Sequence, residues 1–184
     1  MFANHAVPYL EKLNNMRLHS RVLRIFGMGE GDVTYRLRDI IENQTNPTIA
    51  PYVTTGEVTL RVTARCASDE DGEKLVAPMV EQIRARIGDV LYSEHGETLP
   101  ELCLRLLGEQ NRTVATAESL TGGLIASGFV DVPGSSKSFL EGCVTYSNEA
   151  KQEMLGVQAD TLARHGAVSR ETALEMAEGA LSRS

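Results

Sequence analysis

Residues 113–130, TVATAESLTGGLIASGFV, place a strand, a glycine-containing turn and a helix in direct succession. The predicted strand covers 113–117, the turn covers 118–123 and the helix covers 124–130. A second strand is predicted at EGCVTYS (141–147), and a helix follows it. Strands that alternate with helices favour parallel pairing and a layered α/β fold. We therefore predict a three-layer α/β domain with a mainly parallel sheet in this half of the chain.

This α/β domain is predicted to run from residue 95 to residue 184. The polar stretch SEHGE (93–97) has the composition of a linker between two domains. Thr98 and Glu101 then form a capping-box pattern, which is typical of the start of a helix. Near the end of the chain, Ser169 is predicted to cap the last helix.

The preceding block, residues 16–94, has the pattern of a small α+β domain. EVTLRVTARC (57–66) alternates apolar and polar residues, which is typical of a strand with one buried face. The predicted elements, in chain order, cover 19–26, 32–43, 49–53, 57–66, 69–87 and 89–93. This order is βαββαβ, a split-βαβ arrangement. Residues 1–15 read as a short helical lead-in.

Periodicity also predicts which side chains form the core of this α+β block. Apolar residues recur on one face of the strand and along one stripe of each helix. The predicted core residues are Val33, Leu37, Ile40, Ile41, Val58, Leu60, Val62, Ala64, Leu75, Val76, Met79, Val80, Ile83 and Ile87.

Composition narrows the class of protein. Eighteen basic and 25 acidic residues give a net charge of -7, and no Lys/Arg cluster is visible, so there is no strong case for nucleic-acid binding. No apolar run reaches the roughly 18 to 20 residues of a membrane span. The three cysteines are widely separated and match neither a disulfide framework nor a zinc site. Together these features predict a cytoplasmic protein.

The turn ESLTGG (118–123) is the first candidate functional site. Ligands of parallel sheets bind beyond the carboxyl ends of the strands, where this turn must lie. Ser119 could act as a nucleophile, with N–H groups near Thr121, Gly122 and Gly123 binding an oxyanion or a phosphate. Ser119 or Thr121 could instead simply cap the helix. Glu118 fits a role in orienting a polar network better than a role in metal binding.

Lys151 is the second candidate, in the stretch VTYSNEAK (144–151). It lies in the first turn of a helix that Ser147 or Asn148 caps. The positive end of the helix dipole disfavours a charged amine there, and a neutral amine is a usable base. The alternative is an exposed lysine whose stem lies over neighbouring residues.

Several motifs of this half resemble one family. They are ATAESLTGGLIAS (115–127), VDVPGSS (130–136), FLEGCVTYSNEAK (139–151), LGV (155–157), HGAVS (165–169) and EMAEGAL (175–181). In this order and spacing they resemble the C-terminal domain of the CinA competence/damage-inducible family, which includes PncC-type nicotinamide mononucleotide deamidases. FGMGE, NPTIAPY and GEVTLRVTA resemble the KH-like middle domain of that family. Residues 1–15 resemble the tail of the nucleotide-pyrophosphatase domain that precedes it.

The resemblance implies a function. It implies hydrolysis of nicotinamide mononucleotide to nicotinate mononucleotide and ammonia by a Ser/Lys mechanism, without a metal or a cofactor. By motif, the nucleophile falls on Ser119, the base on Lys151 and a supporting hydroxyl on Tyr146. The residues expected to bind the nucleotide substrate are Glu118, Thr121, Gly122 and Gly123. The alternative function is a non-catalytic interaction or structural module.

The chain departs from the family pattern in two ways. Leu120 stands where many relatives have Cys. Family members also continue with a further strand and a Gly-rich segment that help to complete the pocket, so we expect a truncated domain with little or no deamidase activity on its own. An open sheet edge and apolar helix faces favour self-association, so we expect a homo-oligomer. Leu174, Met176 and Leu181 are predicted to lie on such faces.

Overall fold

The computed structural model describes residues 16–54 and 56–184, together with His5, Ala6 and Tyr9. The predicted lead-in over 1–15 lies otherwise outside the described residues. The chain divides into two compact units, Met1–Thr98 and Leu99–Ser184. No helix among the described residues has the length and apolar content that a bilayer crossing needs.

The first unit is an antiparallel sheet covered by helices. Its sheet has the strand order β2-β3-β1-β4. In chain order the elements are β1 (Arg17–Phe26), α1 (Glu30–Arg36), α2 (Arg38–Glu42), β2 (Thr48–Thr54), β3 (Glu57–Cys66), α3 (Asp69–Ile87) and β4 (Leu91–Ser93). The predicted order of strands and helices and the α+β class are confirmed.

One predicted helix, 32–43, is in fact the pair α1 and α2. The break falls at Leu37, whose backbone angles (φ -105°, ψ 7°) leave the helical region. Leu37 is fully buried, and Val33 and Ile40 on either side of the break are buried too. The bend therefore lets both short helices direct apolar side chains into one core.

Strand β3 confirms the alternation seen in the sequence. Val58, Leu60, Val62 and Ala64 are all buried, whereas Arg61 on the opposite face is exposed. Because β1 pairs with β3 along its whole length, Leu23 and Ile25 lie opposite Leu60 and Val58. These four buried residues share the face that packs against α3. The two strands and this helix form the centre of the first core.

Helix α3 begins at the predicted residue because Ser68 caps it, accepting a hydrogen bond from the Asp71 N–H. Val76, Val80, Ile83 and Ile87 are buried at helical spacing. The prediction that Leu75 belongs to this core is wrong, since its side chain is 38% exposed. Leu75 lies one residue before Val76, about 100° around the helix, and so falls beside the stripe.

Strand β4 is shorter than the predicted 89–93. The Val90 N–H donates to the Ile87 carbonyl, so the chain is still leaving α3 at that point. The strand starts only at Leu91, opposite Ile25 of β1.

The second unit contains a parallel pair of strands between helices. Strand β5 pairs with β6 in parallel, which confirms the predicted α/β class. Its elements are α4 (Leu99–Glu109), β5 (Val114–Glu118), α5 (Leu124–Val130), a short 3-10 helix (Ser135–Lys137), β6 (Phe139–Val144), α6 (Asn148–Leu155), α7 (Ala159–His165) and α8 (Arg170–Arg183).

Strand β6 lies earlier than the predicted 141–147. It ends at Val144, and one further hydrogen bond runs from the Thr145 N–H to the Glu118 carbonyl. Ser147 then turns away from the sheet to cap α6, accepting from the Ala150 N–H. The competing demand of the helix cap therefore shortens the strand.

The core of the second unit lies between β6, α6 and α8. It contains Cys143, Leu155, Val157, Met176 and Ala180. The prediction that Met176 lies on an exposed face is wrong, because it is only 6% exposed. Leu174 and Leu181 are exposed, as predicted.

Helices α6 and α8 approach closely at a glycine. An added methyl group at Gly179 of α8 would lie 2.0 Å from the carbonyl oxygen of Leu155. Only a residue without a side chain fits this contact, so Gly179 sets the distance between the two helices.

Candidate active site

The turn between β5 and α5 has a backbone shape that requires glycine. Gly122 and Gly123 have φ angles of 61° and 98°, in the region that residues with a Cβ rarely adopt. The Gly122 N–H donates to the Ser119 carbonyl at 3.1 Å. This tight turn holds Ser119 at the carboxyl end of β5.

The helix that follows the turn is capped by Glu118. Gly123 occupies the N-cap position of α5, with no capping side chain of its own. The Glu118 carboxylate instead accepts hydrogen bonds from the N–H groups of Gly123 (3.1 Å), Ile125 (3.1 Å) and Ala126 (2.8 Å). The interpretation of Ser119 or Thr121 as the helix cap is therefore wrong.

The same contacts control the charge of Glu118, which is only 3% exposed. Burial alone would raise its pKa. The hydrogen bonds from the Ala126 N–H, the Thr121 side chain and the Ile125 and Gly123 N–H groups outweigh burial, so the pKa lies below its ordinary value. Glu118 is thus a buried carboxylate at the positive end of a helix.

Lys151 lies in the first turn of α6, and its side chain is directed into the protein. Only 1% of it is exposed, so the interpretation as an exposed lysine is wrong. Its Nζ atom donates to the carbonyl oxygens of Thr145 (2.8 Å) and Tyr146 (3.1 Å). The third contact of Nζ is with Ser119 Oγ, at 3.1 Å.

The surroundings of Lys151 decide what its amine can do. No Asp or Glu in the part of the chain that the structure describes forms an ion pair with it. Two carbonyls accept two N–H bonds, and the remaining position around Nζ faces Ser119 Oγ. In a neutral amine this position holds the lone pair, so the Ser119 hydroxyl can donate its proton to Nζ.

Tyr146 contacts Lys151 through its backbone. The carbonyl oxygen accepts from Nζ, whereas the side chain is 77% exposed. Within the described residues, the Tyr146 hydroxyl makes no hydrogen bond. The proposed catalytic role of this hydroxyl therefore stays a prediction.

Of the N–H groups expected to bind an oxyanion, that of Thr121 is free of hydrogen bonds to the described residues, whereas those of Gly122 and Gly123 are not. The N–H of Gly122 is bonded to Ser119 and that of Gly123 to Glu118, so neither is free for a ligand. The N–H groups of Leu120 and Thr121 donate no hydrogen bond to any described residue. These two adjacent donors, directly after Ser119, are therefore candidates for binding an oxyanion.

A cleft of about 280 Å³ opens beside Ser119. Ser119, Thr121 and Glu118 line it, whereas Gly122, Gly123, Tyr146 and Lys151 do not. Its other lining residues are Ala117, Leu120, Ile125, Ala167, Val168, Ser169, Ala173 and Met176. The lining of the cleft is thus mainly apolar with a few polar side chains, as in many small-molecule sites.

Sequence reasoning missed the wall formed by residues 167–169. The motif HGAVS contains these residues, but only the fold brings the start of α8 opposite the turn after β5. Val168 is 91% exposed and Leu120 is 82% exposed, so two apolar side chains border the cleft. In the described residues, no three His, Cys, Asp or Glu side chains are grouped so that they could hold a metal ion.

Known protein-family domains match both halves of the chain. The CinA C-terminal domain matches residues 96–184, and the KH domain of the damage-inducible protein CinA matches residues 20–93. Together the two matches cover most of the chain. The protein belongs to the CinA family.

Individual relatives are longer than this chain. It is 52% identical over 179 residues to a CinA-like protein of Kosmotoga olearia, covering 97% of this chain and 43% of that protein. A putative competence-damage inducible protein of Clostridium botulinum (strain Okra) is 51% identical, with coverage of 97% and 44%. The chain thus spans less than half the length of these relatives.

Among solved structures, the competence/damage inducible protein CihA from Agrobacterium tumefaciens is 50% identical. The match covers 47% of this chain and 52% of that one, with a TM-score of 0.46.

Proposed function

We propose that the second unit hydrolyses the carboxamide of nicotinamide mononucleotide to nicotinate mononucleotide and ammonia. The contact of Ser119 Oγ with Lys151 Nζ at 3.1 Å is the observation that carries this proposal. A serine hydroxyl is a weak nucleophile, and an adjacent base that takes its proton activates it. The family resemblance of the surrounding motifs supports the choice of substrate.

In the first half of the reaction, Ser119 Oγ attacks the amide carbonyl carbon while Lys151 Nζ takes the hydroxyl proton. The N–H groups of Leu120 and Thr121 bind the oxyanion of the tetrahedral intermediate. Lys151 then gives the proton to the amide nitrogen, the C–N bond breaks, and ammonia leaves. The product of this half is an ester on Ser119.

In the second half, water attacks the ester carbonyl and Lys151 takes one of its protons. The bond from carbon to Ser119 Oγ breaks, and Lys151 returns the proton to that oxygen. One amide and one water thus give one carboxylic acid and one ammonia, and both catalytic side chains recover their starting state. Lys151 must enter each half as the neutral amine.

The contacts of Lys151 support its use as a base. Two carbonyl acceptors take two N–H bonds of Nζ, and the remaining position faces Ser119 Oγ. The carbonyls of Thr145 and Tyr146 hold the amine in a fixed orientation. The base is therefore positioned before substrate binds.

The experiment is release of ammonia from nicotinamide mononucleotide by the purified chain, at high protein concentration and over long times. We expect release by the wild type and a loss of at least about 1,000-fold in Ser119→Ala. Ser136→Ala is the matched control, because Ser136 is an exposed serine of the same unit outside the cleft.

Equal release by the wild type and by Ser119→Ala, with both folded, would contradict the proposal. That result would favour the alternative function, a non-catalytic interaction module. The exposed apolar side chains of Leu120 and Val168 could then serve as contact residues.

A further inference from the structure

We propose that Glu118 is the positioning residue of this site: its buried carboxylate holds the glycine turn in the shape that brings Ser119 Oγ to Lys151 Nζ. The inference rests on the proposed function and extends it, because Glu118 neither touches the base nor takes part in proton transfer.

The carboxylate fixes the turn from the inside. One of its oxygens accepts from Ala126, and the other is shared by Gly123 and Ile125. The three donors lie five to eight residues after Glu118 in the sequence, so these bonds close the loop that contains Ser119. Charge-assisted hydrogen bonds are stronger than neutral ones, which makes this closure stiff.

The backbone of Glu118 is tied to the same base. Its carbonyl accepts the N–H of Thr145 at 2.8 Å, and the Thr145 carbonyl in turn accepts from Lys151 Nζ at 2.8 Å. Glu118 therefore contacts the surroundings of both Ser119 and Lys151. Its side chain holds the turn that contains Ser119, and its backbone carbonyl holds Thr145, whose own carbonyl orients the Lys151 amine.

Glu118 also determines where an anion can bind. Its negative charge occupies the start of α5, and its oxygens use the N–H groups that a phosphate would need. The amides of Leu120 and Thr121, by contrast, donate no hydrogen bond to any described residue. The turn is thus better suited to the developing oxyanion of a neutral amide than to a phosphate.

The test variant is Glu118→Gln, which keeps the size of the side chain but replaces one oxygen with an NH₂ group that faces N–H donors. We expect kcat for ammonia release to fall about 100-fold, the scale of a small misplacement of reacting groups, while KM changes less than about threefold. Glu178→Gln, an exposed carboxylate of α8 away from the cleft, is the matched control and should retain wild-type kcat.

A second readout does not need turnover. The rate at which a fluorophosphonate labels Ser119 is measured by intact mass, and the amide NMR signals of Gly123, Ile125 and Ala126 are compared between wild type and Glu118→Gln. We expect labelling to slow by a factor similar to that of kcat, and all three amide signals to shift upfield as their charged acceptor is lost.

The outcomes separate the two proposals. If the wild type releases ammonia no faster than Ser119→Ala, the proposed function fails, and labelling and amide shifts still decide the role of Glu118. If folded Glu118→Gln keeps the wild-type rate of Ser119 labelling, within about twofold, the positioning role is overturned. Unchanged amide signals overturn it as well.

Discussion

Ser119 and Lys151 are 32 residues apart in the chain, yet the hydroxyl of one lies 3.1 Å from the amine of the other. The parallel pairing of β5 and β6 creates this contact, because it places Glu118 opposite Val144 and so aligns the two strand ends. Ser119 follows the first strand directly, and Lys151 reaches back from the helix after the second. The site is therefore a product of strand register.

The first prediction concerns Lys151 as a base. Lys151→Arg should be as damaging to ammonia release as Lys151→Ala, because a guanidinium stays protonated and cannot accept the Ser119 proton. Lys151→Met, which keeps the length of the side chain without the amine, should lose activity equally while the protein stays folded.

Initial rates of ammonia release and circular dichroism, measured on the same samples, check this series. Lys137→Arg is the control, since Lys137 is an exposed lysine of the same unit and should tolerate the change. An arginine variant at position 151 with most of the wild-type rate would show that Lys151 acts by its charge.

The second prediction concerns the pH dependence of stability. The pKa of Glu118 is lower in the folded protein than its ordinary value of 4.5, because hydrogen bonds from Ala126, Ile125 and Gly123 outweigh burial. A depressed pKa stabilises the fold fully above the unfolded-state pKa, and the stabilisation is lost as the pH falls through the folded-state pKa.

Glutamine at position 118 does not titrate. The difference in free energy of unfolding between wild type and Glu118→Gln should therefore be largest near neutral pH and shrink on acidification from about pH 7 to about pH 3. Urea unfolding of both proteins across this range measures it. A difference in free energy of unfolding that stays constant with pH would mean that the titration of Glu118 does not affect stability.

The third prediction concerns the contact between α6 and α8. Gly179→Ala should destabilise the second unit by about 1–3 kcal/mol, because the new methyl group would overlap the Leu155 carbonyl oxygen. Gly128→Ala is the control: a methyl group there would meet Pro100 at 3.5 Å, an ordinary contact, and alanine favours a helix.

Chemical denaturation of both glycine variants tests this contrast. Gly128→Ala should be as stable as the wild type or slightly more so. Equal stability of Gly179→Ala and Gly128→Ala would show that the helices can separate without cost.

The sequence predicts the elements of this protein well where one periodicity dominates. Strand β3 and helix α3 have the predicted bounds, because alternation and helical spacing each continue over ten or more residues. The start of β4 and both bounds of β6 differ from the prediction, since a helix end delays β4 and a helix cap shortens β6. Leu75 is at the margin of its stripe, where periodicity does not separate buried from exposed positions.

The sequence predicts which residues form the candidate site, but it does not predict how these residues contact one another. Ser119 and Lys151 stand out in the sequence because one follows a strand in a glycine turn and the other begins a helix. Their contact, the burial of Lys151 and the three bonds of Glu118 depend on strand register and on the folded turn. No local pattern contains this information, so the sequence predicts for Glu118 a role in a polar network or in substrate binding, and not its three bonds to the turn.

The most direct test of the central claim is to detect the ester on Ser119. The chain is mixed with nicotinamide mononucleotide, quenched in acid, digested and analysed by mass spectrometry. We predict a nicotinate-mononucleotide acyl group on the peptide that contains Ser119, which is absent in both Ser119→Ala and Lys151→Arg. Ammonia release without any acyl group on Ser119, or an acyl group that persists when Lys151 is replaced, would contradict the account.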